Sequence, residues 1–258
     1  MTDLLQLEKN GNTAVITFNN PPAHTWTVES LSALTTMVEE LNQDKDVYAL
    51  VVTGGGEKFF SAGADLNLFA DGDKETATLM SNLFGQAFET LSKFRGVSIA
   101  AINGWSMGGG LEVALACDLR IAEEHANMAL PEASVGLLPC AGGTQNLHIL
   151  VGEGWTKRMI LCGERVDAQT ALRIGLVEEV VAKGTAKDAA IALANKVARQ
   201  SPVAVAACKN LIQMNRSMPI ADALPVERKA FVDLFDSKDQ KEGVNAFLEK
   251  RKPQWVNG

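Results

Sequence analysis

Two short apolar runs in this chain each stop at glycine, in a stretch where β-like runs alternate with helical ones. Ala49-Leu-Val-Val-Thr53 ends at Gly54-Gly-Gly56, and Ser98-Ile-Ala-Ala-Ile-Asn103 ends at Gly104. Apolar runs this short, without alternation, fit strands covered on both faces, as in a parallel sheet flanked by helices. The same alternation continues around them. Ala14-Val-Ile-Thr-Phe18 is rich in β-branched residues and ends at the breaker Asn19-Asn-Pro-Pro22, and Leu119-Arg-Ile-Ala122 reads as a further strand. Leu31, Leu34, Val38 and Leu41 recur at helical spacing, Thr76 to Phe94 reads as a second amphipathic helix, and Gly110 to Cys117 as a central helix of small apolar residues. From Gly142 onward the pattern is almost entirely helical. Asp167 caps a helix running through Leu172, with Gly175 near its end, and Ser201-Pro202 supplies an N-cap followed by proline at the first helical position. Asp239-Gln-Lys-Glu242, an Asp variant of the capping box, is expected to open a last helix through Lys250. The expectation is an α/β fold, with a core over residues 1–200 and a helical region over 201–258.

Composition removes several function classes. The 258 residues are 47% apolar and 21% charged, enough to form a core without metal or disulfide staples. The net charge of -7, with no basic block, argues against a nucleic-acid partner. Cys117, Cys140, Cys162 and Cys208 lie more than twenty residues apart, with no CxxC pair, which fits reduced thiols rather than a zinc or redox framework. Met1 to Glu8 is mildly acidic and lacks the features of a leader, and no window holds eighteen uninterrupted apolar residues. A cytoplasmic protein with no membrane partner is expected.

The chemistry-bearing residues gather near the glycine turns. The first turn leads into Phe59-Phe-Ser-Ala-Gly-Ala-Asp65, and the second is Gly104-Trp-Ser-Met-Gly-Gly-Gly-Leu-Glu112. Glycine lets a backbone approach a ligand and aim its N–H groups into a cavity, and a helix starting at Gly109 or Gly110 adds its positive end. Two such N–H groups from two turns are the parts of an oxyanion hole. Read alone, the same glycines only end strands and permit tight helix packing. Neither turn carries a dinucleotide or P-loop fingerprint, and neither Ser61 nor Ser106 sits in Gly-x-Ser-x-Gly. Glu112 is the one charge in Gly108-Gly-Gly-Leu-Glu-Val-Ala-Leu-Ala-Cys117, and Glu132 follows Pro131 in a stretch with few charges. Each has a structural reading, as a buried carboxylate held by backbone N–H groups or as an acid at a helix start. Two isolated acids beside an anion-binding turn also suit an acid/base pair, one ionised and one protonated. His24, His125 and His148 show no metal-ligand spacing and read as surface or packing residues, as do Trp155 and Trp255. Asp118 reads as orienting backbone at the end of the central helix, and Lys250-Arg-Lys252 as a solvated helix end or a phosphate contact.

With these segments, the sequence resembles the crotonase, or enoyl-CoA hydratase/isomerase, family from about Leu5 to Trp255. The resemblance is carried by Phe60-Ser-Ala-Gly-Ala-Asp-Leu66, Ala101 to Glu112, Ala116-Cys-Asp118, Pro131-Glu132, Gly136-Leu-Leu-Pro139, Ala141-Gly-Gly-Thr-Gln145 and Glu242 to Arg251. It implies a spiral of ββα units, a helical C-terminal region that forms homotrimers or homohexamers, and acyl-CoA thioester substrates passing through an enolate-like intermediate. It implies oxyanion-hole N–H groups at Ala64 and Gly109, and an acid/base pair of Glu112 and Glu132. CoA contacts are implied at Ala23, Ala62, Asp65 and Leu66, and at Phe247 and Lys250, which a neighbouring subunit can supply. It implies no metal and no cofactor, CoA being part of the substrate. Two positions depart from the family pattern. Cys140 replaces the usual glycine of the loop Pro-Gly-Ala-Gly-Gly-Thr and is expected to narrow the acyl pocket, and Asn67 replaces a common lysine. The implied activity is that of a hydro-lyase: reversible syn hydration of a trans-2-enoyl-CoA. The alternatives are a Δ3,Δ2-enoyl-CoA isomerase or another acyl-CoA enzyme of the family, and, in a different class, a non-catalytic acyl-CoA-binding protein.

Overall fold

The computed structural model describes residues 3–258; Met1 and Thr2, the start of the segment read for a leader, lie outside them. The chain opens with β1 (Leu5–Asn10) and β2 (Thr13–Phe18), an antiparallel pair, followed by α1 (Val28–Gln43). Three ββα units come next: β3 (Ala49–Gly54), β4 (Phe59–Ser61) and α2 (Lys74–Ser92); β5 (Val97–Ile102), β6 (Trp105–Met107) and α3 (Gly109–Ala116); then β7 (Leu119–Glu123), β8 (Asn127–Ala129) and α4 (Gly143–Leu161). The first strand of each unit joins one sheet and the second joins another, so the ββα spiral expected from the resemblance is present. After β9 (Val166–Asp167), α5 (Ala168–Ile174), β10 (Glu179–Val181) and α6 (Ala186–Val197), the chain continues through α7 (Pro202–Met214), α8 (Ile220–Asp233) and α9 (Lys238–Leu248). The six-stranded sheet runs β1-β2-β3-β5-β7-β10 and the four-stranded sheet β4-β6-β8-β9. From β2 to β10 every pairing in the larger sheet is parallel.

The apolar runs are continuous because both faces of the larger sheet are covered. Val15, Val51, Ile99, Ala101 and Ile121 pack on one face against Ala186, Ala190 and Ala194 of α6. Ile16, Leu50, Val52, Ala100 and Ile102 belong to the main core on the other face, with α1, α2 and α3. Small alanines bring α6 close to the strands, and larger residues fill the space on the opposite face. A chain of edge-to-face rings, Phe84, Phe88, Trp26, Phe18 and Phe60, with centroids 4.9 to 5.6 Å apart, runs through the core beneath the site.

The last helix corrects one expectation. Its cap is Ser237, whose Oγ accepts from the Gln240 N–H at 3.1 Å, not Asp239. Asp239 lies one residue inside α9 and is buried, accepting from the Val256 N–H at 2.9 Å and from the Ser201 hydroxyl at 3.2 Å. Glu242 turns away from the helix start and pairs with Arg251. The helix ends at Leu248, and Lys250 follows it with φ +57. A cap pattern alone does not distinguish a first-turn acid from the cap two residues earlier.

Candidate active site

The two glycine turns meet in space. A Cβ built on Gly63, whose φ is +90, would stand 2.7 Å from the Met107 carbonyl oxygen and 3.1 Å from the Gly109 nitrogen. Only a residue without a side chain, free to adopt positive φ, lets these backbones touch. The Trp26 N–H donates to the Gly63 carbonyl at 2.8 Å, in a bridge that pairs Trp26 with Ala64. Among the described residues, neither the Ala64 N–H nor the Gly109 N–H has an acceptor. Gly109 is the first residue of α3, so its N–H also carries the positive end of that helix.

Both turns open on a cavity of about 890 Å³. Ala62, Ala64 and Leu66 line it from the first turn, Gly109 and Glu112 from the second turn and α3, and Glu132 and Cys140 from the loop before α4. Helix α2 adds Lys74, Thr78, Ser81 and Phe84, a face whose helical spacing was visible in the sequence but whose polar members gave no sign of lining a site. Ala23 lies just behind the lining, where its carbonyl accepts from the Ala62 N–H at 2.9 Å. Asp65 caps the 3-10 helix Leu66–Phe69, accepting from the Asn67 N–H at 3.0 Å and its Nδ2 at 2.8 Å. Phe247 and Lys250 stand outside this lining in the single chain, and Phe247 is 82% exposed. His24 is a packing residue: Nδ1 accepts from the Asn20 N–H at 3.1 Å and Nε2 lies 2.7 Å from the Gly55 carbonyl.

The two carboxylates differ in what holds them. Every residue of α3 is buried, and Glu112 is its only charged member. Glu112 Oε1 accepts from the Ala141 N–H at 2.8 Å and the Gly143 N–H at 2.9 Å. Burial raises its pKa above the ordinary carboxylate range, while the two N–H donors oppose that rise by stabilising the charge. Glu132 opens the 3-10 helix Glu132–Val135, and both its carboxyl oxygens are buried with no partner among the described residues. Burial, with a smaller contribution from the nearby Glu112 charge, pushes Glu132 up to about 7. Gly108 leaves it room, since a Cβ there would stand 3.1 Å from Glu132 Oε1. One acid is thus braced by two backbone donors, and the other is held by burial well above the ordinary carboxylate range. Such a pair can take a proton and give one across a single cavity, beside N–H groups able to hold a developing negative oxygen.

Among the described residues, no cluster of His, Cys, Asp and Glu has the makings of a metal site, and no helix is long and apolar enough to cross a membrane. All four cysteines are free. Cys140 is exposed on its loop, and partial burial of its thiol, with the nearby Glu112 charge, pushes its pKa up to about 11, so the thiol is neutral at physiological pH.

A family model described as enoyl-CoA hydratase/isomerase matches residues 8–258. The short-chain-enoyl-CoA hydratase of Clostridium acetobutylicum is 39% identical over 251 residues, covering 95% of each chain. Among solved structures, DspI of Pseudomonas aeruginosa is 67% identical with a TM-score of 0.97, over 98% of this chain and 97% of that one. An enoyl-CoA hydratase from Bacillus anthracis is 34% identical with a TM-score of 0.95, over 99% of this chain and 100% of that one.

Proposed function

The chain belongs to the enoyl-CoA hydratase/isomerase family, and from that premise we propose that it adds water reversibly to a trans-2-enoyl-CoA, giving a 3-hydroxyacyl-CoA. The observation that carries this reading is the unequal acid pair: Glu112 held by two N–H donors, and Glu132 buried without a partner at about 7. The thioester carbonyl oxygen sits between the Ala64 and Gly109 N–H groups. Glu112 takes a proton from water as the water oxygen bonds to C3, and the C2=C3 electron pair moves toward the thioester as an enolate. Glu132 then delivers its proton to C2. Removing one oxyanion donor from a site of this kind typically costs about 3 kcal/mol of barrier, so the two turns carry a large part of the acceleration. The dehydration direction reverses both proton transfers. The reaction runs on the chain's own groups, with CoA entering as part of the substrate.

Self-association is part of the same proposal. Ile212, Ile220, Phe231, Phe235, Phe247 and Leu248 leave an apolar surface on α7 to α9 and the turn between α8 and α9. Association there into a homotrimer or homohexamer covers that surface and brings Phe247 and Lys250 of one copy toward the CoA of another.

The test is a panel of trans-2-enoyl-CoA thioesters from C4 to C16, with branched and aryl examples, assayed for water addition alongside 3-enoyl-CoA isomerisation. Hydration that depends on both Glu112 and Glu132 is expected. Isomerisation alone, dependent on a single glutamate, would overturn the reading in favour of an isomerase, and tight acyl-CoA binding without turnover would make the protein a non-catalytic binder.

A further inference from the structure

A second cavity, of about 250 Å³, lies beyond the loop that carries Cys140. Its floor is Phe88, Leu115 and Ala116, and its outer rim includes Glu89, Asn146 and Arg216. Among the described residues, Cys140 is the only one that lines both this chamber and the catalytic cavity. We propose that the Cys140 side chain is the partition between the two, and that it sets the longest acyl chain the site accepts. This rests on the proposed acyl-CoA chemistry.

Three observations support a partition rather than an incidental neighbour. The backbone on its C-terminal side is fixed, because the Ala141 and Gly143 N–H groups both bond Glu112. The loop therefore cannot swing aside without disturbing that carboxylate, which leaves the side chain at 140 as the part of this wall that a substitution can change. The thiol is neutral, with its pKa raised to about 11, so it presents an apolar surface to an alkyl chain. The chamber behind it offers buried apolar residues on α2 and α3, against which terminal methylenes would leave water. With cysteine in place, chains that end within the catalytic cavity are favoured. With glycine in place, the chamber becomes the end of the acyl site.

The test uses Cys140→Gly, with a second variant that fills the chamber from α2. Gly85 lines only the chamber, lies within helix α2, and a Cβ there would meet nothing nearer than Glu89 Oε1 at 3.8 Å, so Gly85→Leu fills the space without a clash at its base. The measured quantity is the ratio of kcat/KM for trans-2-decenoyl-CoA to that for crotonyl-CoA. Cys140→Gly should raise it by about tenfold, the effect of roughly two methylene groups leaving water. Gly85→Leu should cancel that rise in the Cys140→Gly background and change the ratio less than about twofold in the wild-type background. A ratio unmoved by Cys140→Gly, or a rise that Gly85→Leu fails to cancel, overturns the partition. Calorimetric binding of decanoyl-CoA against butyryl-CoA to the same proteins reads chain length without turnover. If the wild type hydrates nothing, the proposed reaction fails, and the shift in binding ratio still decides the role of Cys140.

Discussion

Gly143 and Glu112 constrain one another directly. The Gly143 N–H donates to Glu112 Oε1 at 2.9 Å, and a Cβ on Gly143 would also stand 2.9 Å from that oxygen. The glycine both holds the carboxylate and leaves it room. The same Cβ would fall 2.8 Å from Pro139 Cβ and 3.0 Å from Leu130 Cδ1, none of them the loose end of a long side chain. Gly143→Ala should destabilise the protein by about 1–3 kcal/mol through overpacking. It should also lower kcat by up to about a hundredfold, because a base displaced by a fraction of an ångström loses its line to water. Thermal unfolding and steady-state hydration check both effects, and a variant with wild-type Tm and kcat contradicts them.

Glu132 ties the site to pH. Its folded pKa of about 7 exceeds the ordinary 4.5, so the folded protein holds this proton more tightly than the unfolded chain does. Stability from this group is therefore fully present below about 4.5 and is lost as pH rises toward about 7. Glu112, shifted in the same direction, adds a slope of the same sign. Glu132→Gln should flatten the fall of Tm across that window without abolishing it. If Glu132 is the proton donor of the proposed hydration, the kcat/KM of the wild type should decline above a pH of about 7 as that carboxyl loses its proton. A Tm profile identical in wild type and Glu132→Gln would show that the carboxyl titrates alike in both states.

A polar anchor fixes α7 to the core. The Lys209 ammonium donates to the Phe94 carbonyl at 2.6 Å, the Gly96 carbonyl at 3.0 Å and Asp118 Oδ2 at 2.7 Å. Asp118 Oδ2 also accepts from the Ser98 N–H and hydroxyl, tying the end of α3 to β5. Lys209→Ala leaves the carboxylate and two carbonyls without this donor, and removing one partner of a buried pair costs about 3–5 kcal/mol. The expected result is a large drop in Tm with the pH dependence of kcat/KM unchanged in the folded fraction. A shifted pH profile would mean that this network reaches Glu112 and Glu132.

How much of this was legible in the sequence depends on range. Ala49 to Thr53 and Ser98 to Asn103 read correctly because both faces of β3 and β5 are buried, and burial leaves its mark on every residue of the strand. The two- and three-residue strands β4, β6, β8 and β9 are too short for any periodicity, so the second sheet was invisible as a sheet. Glu112 stood out because a charge inside an apolar helix must be held or used, and it is held by backbone groups 29 and 31 residues away that no local pattern reveals. Asp118 read correctly as a backbone-orienting acid. Its partner Lys209, 91 residues on, looks like any helix lysine until the fold buries it. Cys140 was recognisable only as a departure from a family pattern, and its place between two cavities is a property of the folded loop.

The start of α9 separates two roles that the sequence merged. Ser237→Ala removes one cap bond and should cost about 1 kcal/mol. Asp239→Ala leaves the Val256 N–H and the Ser201 hydroxyl without their acceptor in a buried place, and should cost about 2–3 kcal/mol. Urea unfolding of the two variants gives the order directly, and an equal or reversed order contradicts the assignment of Ser237 as the cap.

The proposed hydration requires Glu112 and Glu132 to work as a proton-accepting and proton-donating pair on one bound enoyl thioester. Hydration of crotonyl-CoA in deuterium oxide, followed by the loss of enoyl absorbance and by deuterium at C2 of the product, reads both halves at once. The wild type should give 3-hydroxybutyryl-CoA carrying one deuterium at C2, with turnover lowered by about a hundredfold or more in each of Glu112→Gln and Glu132→Gln while both keep the wild-type fold. Near-normal hydration by either variant would contradict it.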